Sequence, residues 1–129
     1  MTVTELNHTD EKRKETAQRL GISEAQLERN EMKELKEAVK ALMCEEYERA
    51  AERFGESFHS PHEVYAVILE EVEEAGDEFD CIRGYLAEYW DCVKNNEVGE
   101  WPLYIIEKSA IQAAAECIQI AAMAYKARR

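Results

Sequence analysis

Turn-forming residues are scarce in this chain. It has two prolines and five glycines among 129 residues, too few for the many reversals of a sandwich or barrel built from short strands. No apolar run reaches the roughly 18 residues that a membrane span needs. The four cysteines, Cys44, Cys81, Cys92 and Cys117, form no Cys-x-x-Cys pair and have no histidine at zinc-finger spacing. Their apolar neighbours predict buried, reduced thiols. There is no glycine-rich phosphate loop, no serine elbow and no recognisable Cys–His pairing. Basic residues are the minority, 16 against 28 acidic ones, for a net charge of −12. A surface of that sign repels phosphate. It disfavours nucleic acid as a partner and makes a metal–nucleotide complex a better ligand than a bare anion.

What remains is helical material. The hydrophobic fraction is 46%, too high for a disordered chain, and Ala, Leu, Glu and Lys are plentiful. The length suits one core. An all-α fold follows, in which a variable N-terminal helical extension over residues 1–30 precedes a helical domain over residues 31–129. The first residues, Met1-Thr2-Val3-Thr4-Glu5, have no basic region followed by an apolar one. The expectation is therefore no signal peptide and, by default, a cytoplasmic location.

Residues 1–20 are polar with weak periodicity and predict at most a short or frayed helix. Thr16 to Ala25 resembles a helix–turn–helix phrase with Gly21 in the turn. The helix that would read DNA carries Glu24, Glu28 and Glu31, which suit phosphates poorly. A helix stop at Gly21 and a new start at Ser23 explain the same letters. The next helix runs from about Glu24 to Phe54, with Ser23 and Gln26 spaced as a capping box. Ser60-Pro61-His62-Glu63 is a strong helix start. The helix behind it extends to about Lys94, with Gly76 and Gly84 as places for a kink. Pro102 opens the last helix, from roughly Leu103 to Lys126. That helix is apolar over most of its circumference, which makes it central. Lys126, Arg128 and Arg129 complement its dipole. The apolar surface of the last two helices exceeds what a small monomer covers and predicts at least a dimer. The aromatics Tyr85, Trp90, Trp101 and Tyr104 are expected to serve core or interface packing.

The most informative feature is a set of acids within apolar helices. On a wheel of about 100° per residue, Tyr65, Ile68, Val72, Ala75 and Phe79 form the main stripe of the third helix, which is expected to be buried. Glu71 falls on a second, partly apolar flank among Val64, Val67 and Ile82, and Glu74 and Glu78 follow it. Glu70 and Glu73 point further toward solvent. In the last helix Lys108, Gln112, Glu116 and Gln119 make one narrow polar stripe, which needs partners if buried. If that stripe faces Glu71 and Glu74, the acids bind a cation or share Lys108. Carboxylates from two helices offer Mg²⁺ the hard oxygen ligands it prefers.

Three phrases together resemble a known family. They are Glu45-Glu46-Tyr47-Glu48-Arg49 through Phe54-Gly55, then Ser60-Pro61-His62 through Val67-Ile68-Leu69-Glu70-Glu71-Val72-Glu73-Glu74, then Glu116-Cys117-Ile118-Gln119-Ile120-Ala121-Ala122. Their order resembles the MazG-like all-α nucleoside triphosphate pyrophosphohydrolases, in particular the short phage or prophage type, over roughly residues 40–127. The resemblance implies a four-helix-type bundle, usually a homodimer or homotetramer. It implies hydrolysis of a (deoxy)nucleoside triphosphate to a monophosphate and pyrophosphate, with Mg²⁺ as cofactor and Mn²⁺ as a substitute. It casts Glu71, Glu74, Glu116 and Gln119 as metal ligands and Glu70 as the residue on the attacking water. Lys108 and Gln112, on the polar stripe, are candidates for substrate contact. The family's second motif ends in Asp where this chain has Gln119, a neutral oxygen that should weaken metal binding. Short phage-type members look similar at that place. The alternative expectation is a non-catalytic helical protein that keeps the fold for oligomerisation or partner binding.

Overall fold

The computed structural model describes residues 3–129, with side chains described from residue 8 onward. The expectation placed on Met1 and Thr2, that they begin a chain without a signal peptide, lies outside the described residues. Four α-helices follow one another: α1 (Val3–Leu20), α2 (Glu24–Phe54), α3 (Pro61–Lys94) and α4 (Glu100–Arg128). Among the described residues there is no strand, as the shortage of turn residues requires. No helix there is long and apolar enough to cross a membrane.

The chain divides into two compact units, Met1–Ala41 and Leu42–Arg129. The division falls inside α2, some ten residues beyond the extension expected at residue 30. In the first unit α1 and the start of α2 form a hairpin. Gly21 has φ +69. The Ile22 amide donates to the Ala17 carbonyl and the Gly21 amide to that of Gln18, both across 3.1 Å. This is a Schellman stop, which needs a left-handed residue and so favours glycine. Ser23 Oγ then accepts from the Gln26 amide and caps α2. A helix stop and restart therefore account for the phrase that resembled a DNA-reading motif. Ala17 and Leu27 are buried here, and Arg13 ties α1 to Glu28 and Glu31 of α2.

The second unit holds the C-terminal part of α2 with α3 and α4. Ser60 Oγ caps α3 by accepting from the Glu63 amide, and Glu63 Oε2 accepts from the His59 amide, completing the box. The helix passes Gly76 and Gly84 without a break. Those glycines are tolerated inside 34 residues of otherwise strong helix pattern, and neither marks the kink expected there. Helix α4 begins at Glu100, three residues earlier than expected, with Pro102 in its first turn.

Direction follows from the contacts. Ser109 of α4 meets Cys81 of α3, and Gly99 lies against Tyr89, so α3 and α4 run antiparallel. Glu46 meets Gln119, and Ala50 packs with Ala122 and Met123, so α2 and α4 run in the same direction. Small residues make the closest contacts: Ala75, Ala113 and Ala122 are buried, Ala122 completely. Met43, Tyr47, Phe58, Val67 and Ile68 pack around Ala50, Ala122 and Met123.

Three expectations about burial are corrected. Of the α3 stripe expected to be buried, Ala75 is buried but Tyr65, Val72 and Phe79 are exposed, because one copy of the chain covers only part of that face. Cys44 and Cys117 are exposed, although all four thiols are free as expected. Cys44 stands on the outer side of the polar α2, and Cys117 on the outer side of α4, whose apolar letters wrap most of the way round. Trp90, Trp101 and Tyr104, expected in core or interface packing, are also exposed, so the core half of that expectation is corrected for them.

Candidate metal centre and adjoining cavity

The antiparallel α3–α4 pair brings acids of the two helices together. One carboxylate oxygen from each of Glu71, Glu74 and Glu116 lies within 4.8 Å of the others. Glu71 and Glu74 sit one turn apart on α3, and Glu116 comes from the stretch of α4 that runs past them. Glu71 and Glu116 are half-buried, while Glu74 is exposed.

The crowding is visible in the acid–base properties. Burial, a hydrogen bond with Glu116 and the charges of Glu116, Glu74 and Glu70 push the Glu71 carboxyl from its ordinary 4.5 up to about 7. The charge of Glu116, with some burial, raises Glu74. Glu116 is lowered, chiefly because Glu71 donates to it, with Gln112 and Glu74 as further donors and burial opposing. Gln112 Nε2 reaches Glu116 Oε1 at 2.9 Å. At neutral pH Glu71 is therefore about half protonated, and in that form it donates to Glu116. A divalent cation would replace that proton with a stronger neutraliser.

The donor set fits such a cation. All three donors are hard oxygens, the class preferred by Mg²⁺, Mn²⁺ and Ca²⁺. Oxygens that share a cation bound at about 2.1–2.5 Å stand no more than about 4–5 Å apart, and the three oxygens here lie within 4.8 Å of one another.

The other residues singled out from the sequence distribute as follows. Glu70 is exposed beside Glu71, and its charge bears on both Glu71 and Glu74. Gln112 supports Glu116. Gln119 is half-buried, and its Nε2 donates to Glu46 Oε1 at 2.8 Å. Lys108 is exposed, with no ion pair among the described residues, so the acids do not share it.

A cavity of about 360 Å³ adjoins the acids. Glu71 and Gln119 border it at one end, with Val67, Ala50 and Met123 as apolar wall. Beyond them it is lined by Phe54, Phe58, Arg49, Arg53 and Lys126. Arg49 is neutralised by its ion pair with Glu46. None of Glu46, Arg53, Phe58 and Lys126 is marked by the sequence as a site residue. A signal for Glu46 existed: it shares the apolar face of α2 with Met43, Tyr47 and Ala50, at three- and four-residue steps. Lys126 resembled an ordinary cation at a helix end, because its burial depends on Phe58 in the loop before α3.

Compared with models of known families, with curated proteins and with solved structures, the chain matches none of them.

Proposed function

We propose that this protein is a divalent-cation-dependent nucleotide pyrophosphohydrolase. On this reading it cleaves a (deoxy)nucleoside triphosphate to the monophosphate and pyrophosphate in the cytoplasmic nucleotide pool. The observation that carries the reading is the meeting of Glu71, Glu74 and Glu116 from two helices beside a cavity that also holds cations. The resemblance of the three sequence phrases to MazG-like enzymes supports it. In this reaction a water oxygen bonds to the α-phosphorus as the bond to the α,β-bridging oxygen breaks. Pyrophosphate departs, and the water's proton passes to a carboxylate.

Glu71, Glu74 and Glu116 would hold the cation. When bound, it supplies charge to the phosphates and lowers the pKa of its water. Glu70, one residue from the ligands and open to solvent, would orient the water and take its proton. Gln112 holds Glu116 in place through its amide. Gln119 serves as a neutral neighbour, its amide engaged by Glu46. The wall of Val67, Ala50 and Met123 keeps one side of the substrate dry.

The test is pyrophosphate release from a panel of ribo- and deoxynucleoside triphosphates with Mg²⁺ or Mn²⁺, with Glu71→Gln alongside. Metal-dependent release that disappears in the variant is the expected result. A folded protein that releases nothing from any triphosphate, and that Mn²⁺ does not stabilise, would refute the reading.

One observation favours a second reading, in which the chain is a non-catalytic oligomerising protein. Tyr65, Val72, Phe79, Leu86 and Val93 recur every seven residues along α3, and all are exposed. Such a stripe matches the seam of a helix–helix interface between copies. A homodimer or homotetramer accommodates both readings, so activity rather than mass separates them.

A further inference from the structure

Lys126 is 5% exposed, yet among the described residues no carboxylate forms an ion pair with it. Its ammonium lies 4.4 Å from the centre of the Phe58 ring and borders the cavity that Glu71 also borders. Buried charges are ordinarily paired, because desolvating a lone ion is costly. A ring face holds a cation in position but contributes no opposite charge. In a chain with 28 acidic residues, a lysine whose stem is buried against Phe58 while its ammonium meets no carboxylate is positioned for an anion from outside. Arg53, an exposed residue, adds a second cation. It lines the same cavity, it stacks 5.1 Å from the centre of the Phe54 ring, and it too forms no ion pair among the described residues.

Glu71 lines the cavity toward one end and Arg53 and Lys126 toward the other, where Glu63 also borders it with one carboxylate oxygen accepting from the His59 amide. Helix α4 spans ten residues from Glu116 to Lys126, about 15 Å of axis. Helical side chains lean toward the N-terminus, so Lys126 reaches back toward the acids. A ligand that suits both ends is a linear polyanion, its cation-bound part near the glutamates and its free end on the ammonium. A compact monoanion would reach only one of them.

We propose that Lys126, assisted by Arg53, is the subsite for the terminal phosphates of the nucleotide, the β and γ groups that leave together as pyrophosphate. This rests on the reading of the glutamates as a cation site next to a triphosphate. Two consequences are specific to it. A triphosphate is preferred over a monophosphate through contacts remote from the base. Pyrophosphate binds as a competitive product.

The experiment is calorimetric titration of the full chain with inorganic pyrophosphate, first in EDTA and then with Mn²⁺. Wild type is compared with Lys126→Met, Lys126→Arg and Arg53→Met, and each variant's fold is checked by circular dichroism. The Met variant keeps the aliphatic length against Phe58 while removing the charge. Wild type should bind pyrophosphate in EDTA and more tightly with Mn²⁺. Lys126→Met should weaken binding by about tenfold or more, the scale of one charge-assisted contact, and Lys126→Arg should recover most of it. Mn²⁺ binding alone should stay within about twofold in Lys126→Met, because the lysine is no ligand. Equal pyrophosphate affinity in Lys126→Met and wild type, or no binding by wild type at millimolar concentration, would overturn the proposal. If Lys126→Met does not fold, Arg53→Met carries the test, with a loss of about threefold or more expected and unchanged affinity counting against the subsite. Binding in EDTA needs neither metal nor turnover. Loss of catalysis with Lys126-dependent binding intact would therefore count against the enzyme reading alone.

Discussion

Gln119 Nε2 donates to Oε1 of Glu46 across 2.8 Å, which joins α4 to α2 beside the three clustered glutamates. The same carboxylate receives Arg49 through its other oxygen. Glu46 thus has two neighbours that satisfy it without any cation. An aspartate at 119 would instead place acid against acid.

Removing either partner should therefore be costly, and removing both less than additive. Hydrogen bonds to charged groups contribute about 1.5–3 kcal/mol. Gln119→Ala is expected to destabilise the protein by about 1–2 kcal/mol in urea denaturation, with a coupling of about 1 kcal/mol in the cycle with Glu46→Ala. Gln119→Asp should be worse than alanine in EDTA, and Mn²⁺ should recover part of the loss. Additive effects of the two alanines would show that the hydrogen bond contributes nothing to stability.

The raised Glu71 carboxyl makes stability depend on pH in a defined direction. Its folded-state value is about 7 against an ordinary 4.5, so the fold favours the protonated form. That contribution is complete below pH 4.5 and is lost as pH rises through 7. Glu74 is shifted in the same direction. Glu116, shifted down, stabilises above its ordinary value and loses that contribution on acidification. In EDTA, Glu71→Gln should match wild type near pH 5 and exceed it in Tm at pH 8. Adding Mn²⁺ at pH 8 should stabilise wild type and leave the variant nearly unmoved, because cation and proton compete for the same oxygens. A wild-type-minus-variant Tm difference that is flat with pH would contradict this assignment.

Gly99 precedes α4 with φ −100, a backbone any residue accepts, and yet it is buried. A Cβ there would collide with the Tyr89 ring. Gly99→Ala should cost about 1–3 kcal/mol as an overpacking change, read from the denaturant midpoint. Pairing it with Tyr89→Leu should restore part of that loss, and a full-cost double variant would place the strain elsewhere.

The α3 stripe makes a prediction about mass. Phe79 is 46% and Leu86 55% exposed, so charging them leaves the core of one copy untouched. Phe79→Glu with Leu86→Glu should reduce the light-scattering mass to that of one chain at micromolar concentration, with helicity by circular dichroism retained. An unchanged mass above one chain would move the interface elsewhere.

Helix ends were the most legible part of the sequence. Ser23, Ser60 and Gly21 act through neighbours within six residues, so their letters suffice. The pairing of Glu71 with Glu116 was legible as well, because each stands out as an acid on an otherwise apolar helix face. Lys126 was not, since its burial is set by Phe58, 68 residues earlier in the chain. Glu46 differs from Glu45 and Glu48 in sequence only by sharing the apolar face of α2 with Met43, Tyr47 and Ala50, a weak signal because acids are common in helices, and its α4 neighbour Gln119 is what sets it apart. The exposure of Cys44 and Cys117 escaped the reading for a related reason. Periodicity tells which faces are apolar but not how many of those faces a single copy covers.

The buried alanines of α3 and α4 have a consequence beyond tight packing. Ala75 adjoins Glu74, and Ala113 lies one turn before Glu116, both at the line where the two helices touch. Methyl groups there keep the axes near the short end of helix–helix distances. They act as a calliper, fixing the width of the opening between the opposing carboxylates. On the proposed cation reading, the ionic radius that the acids accept would be governed by residues that never touch the ion.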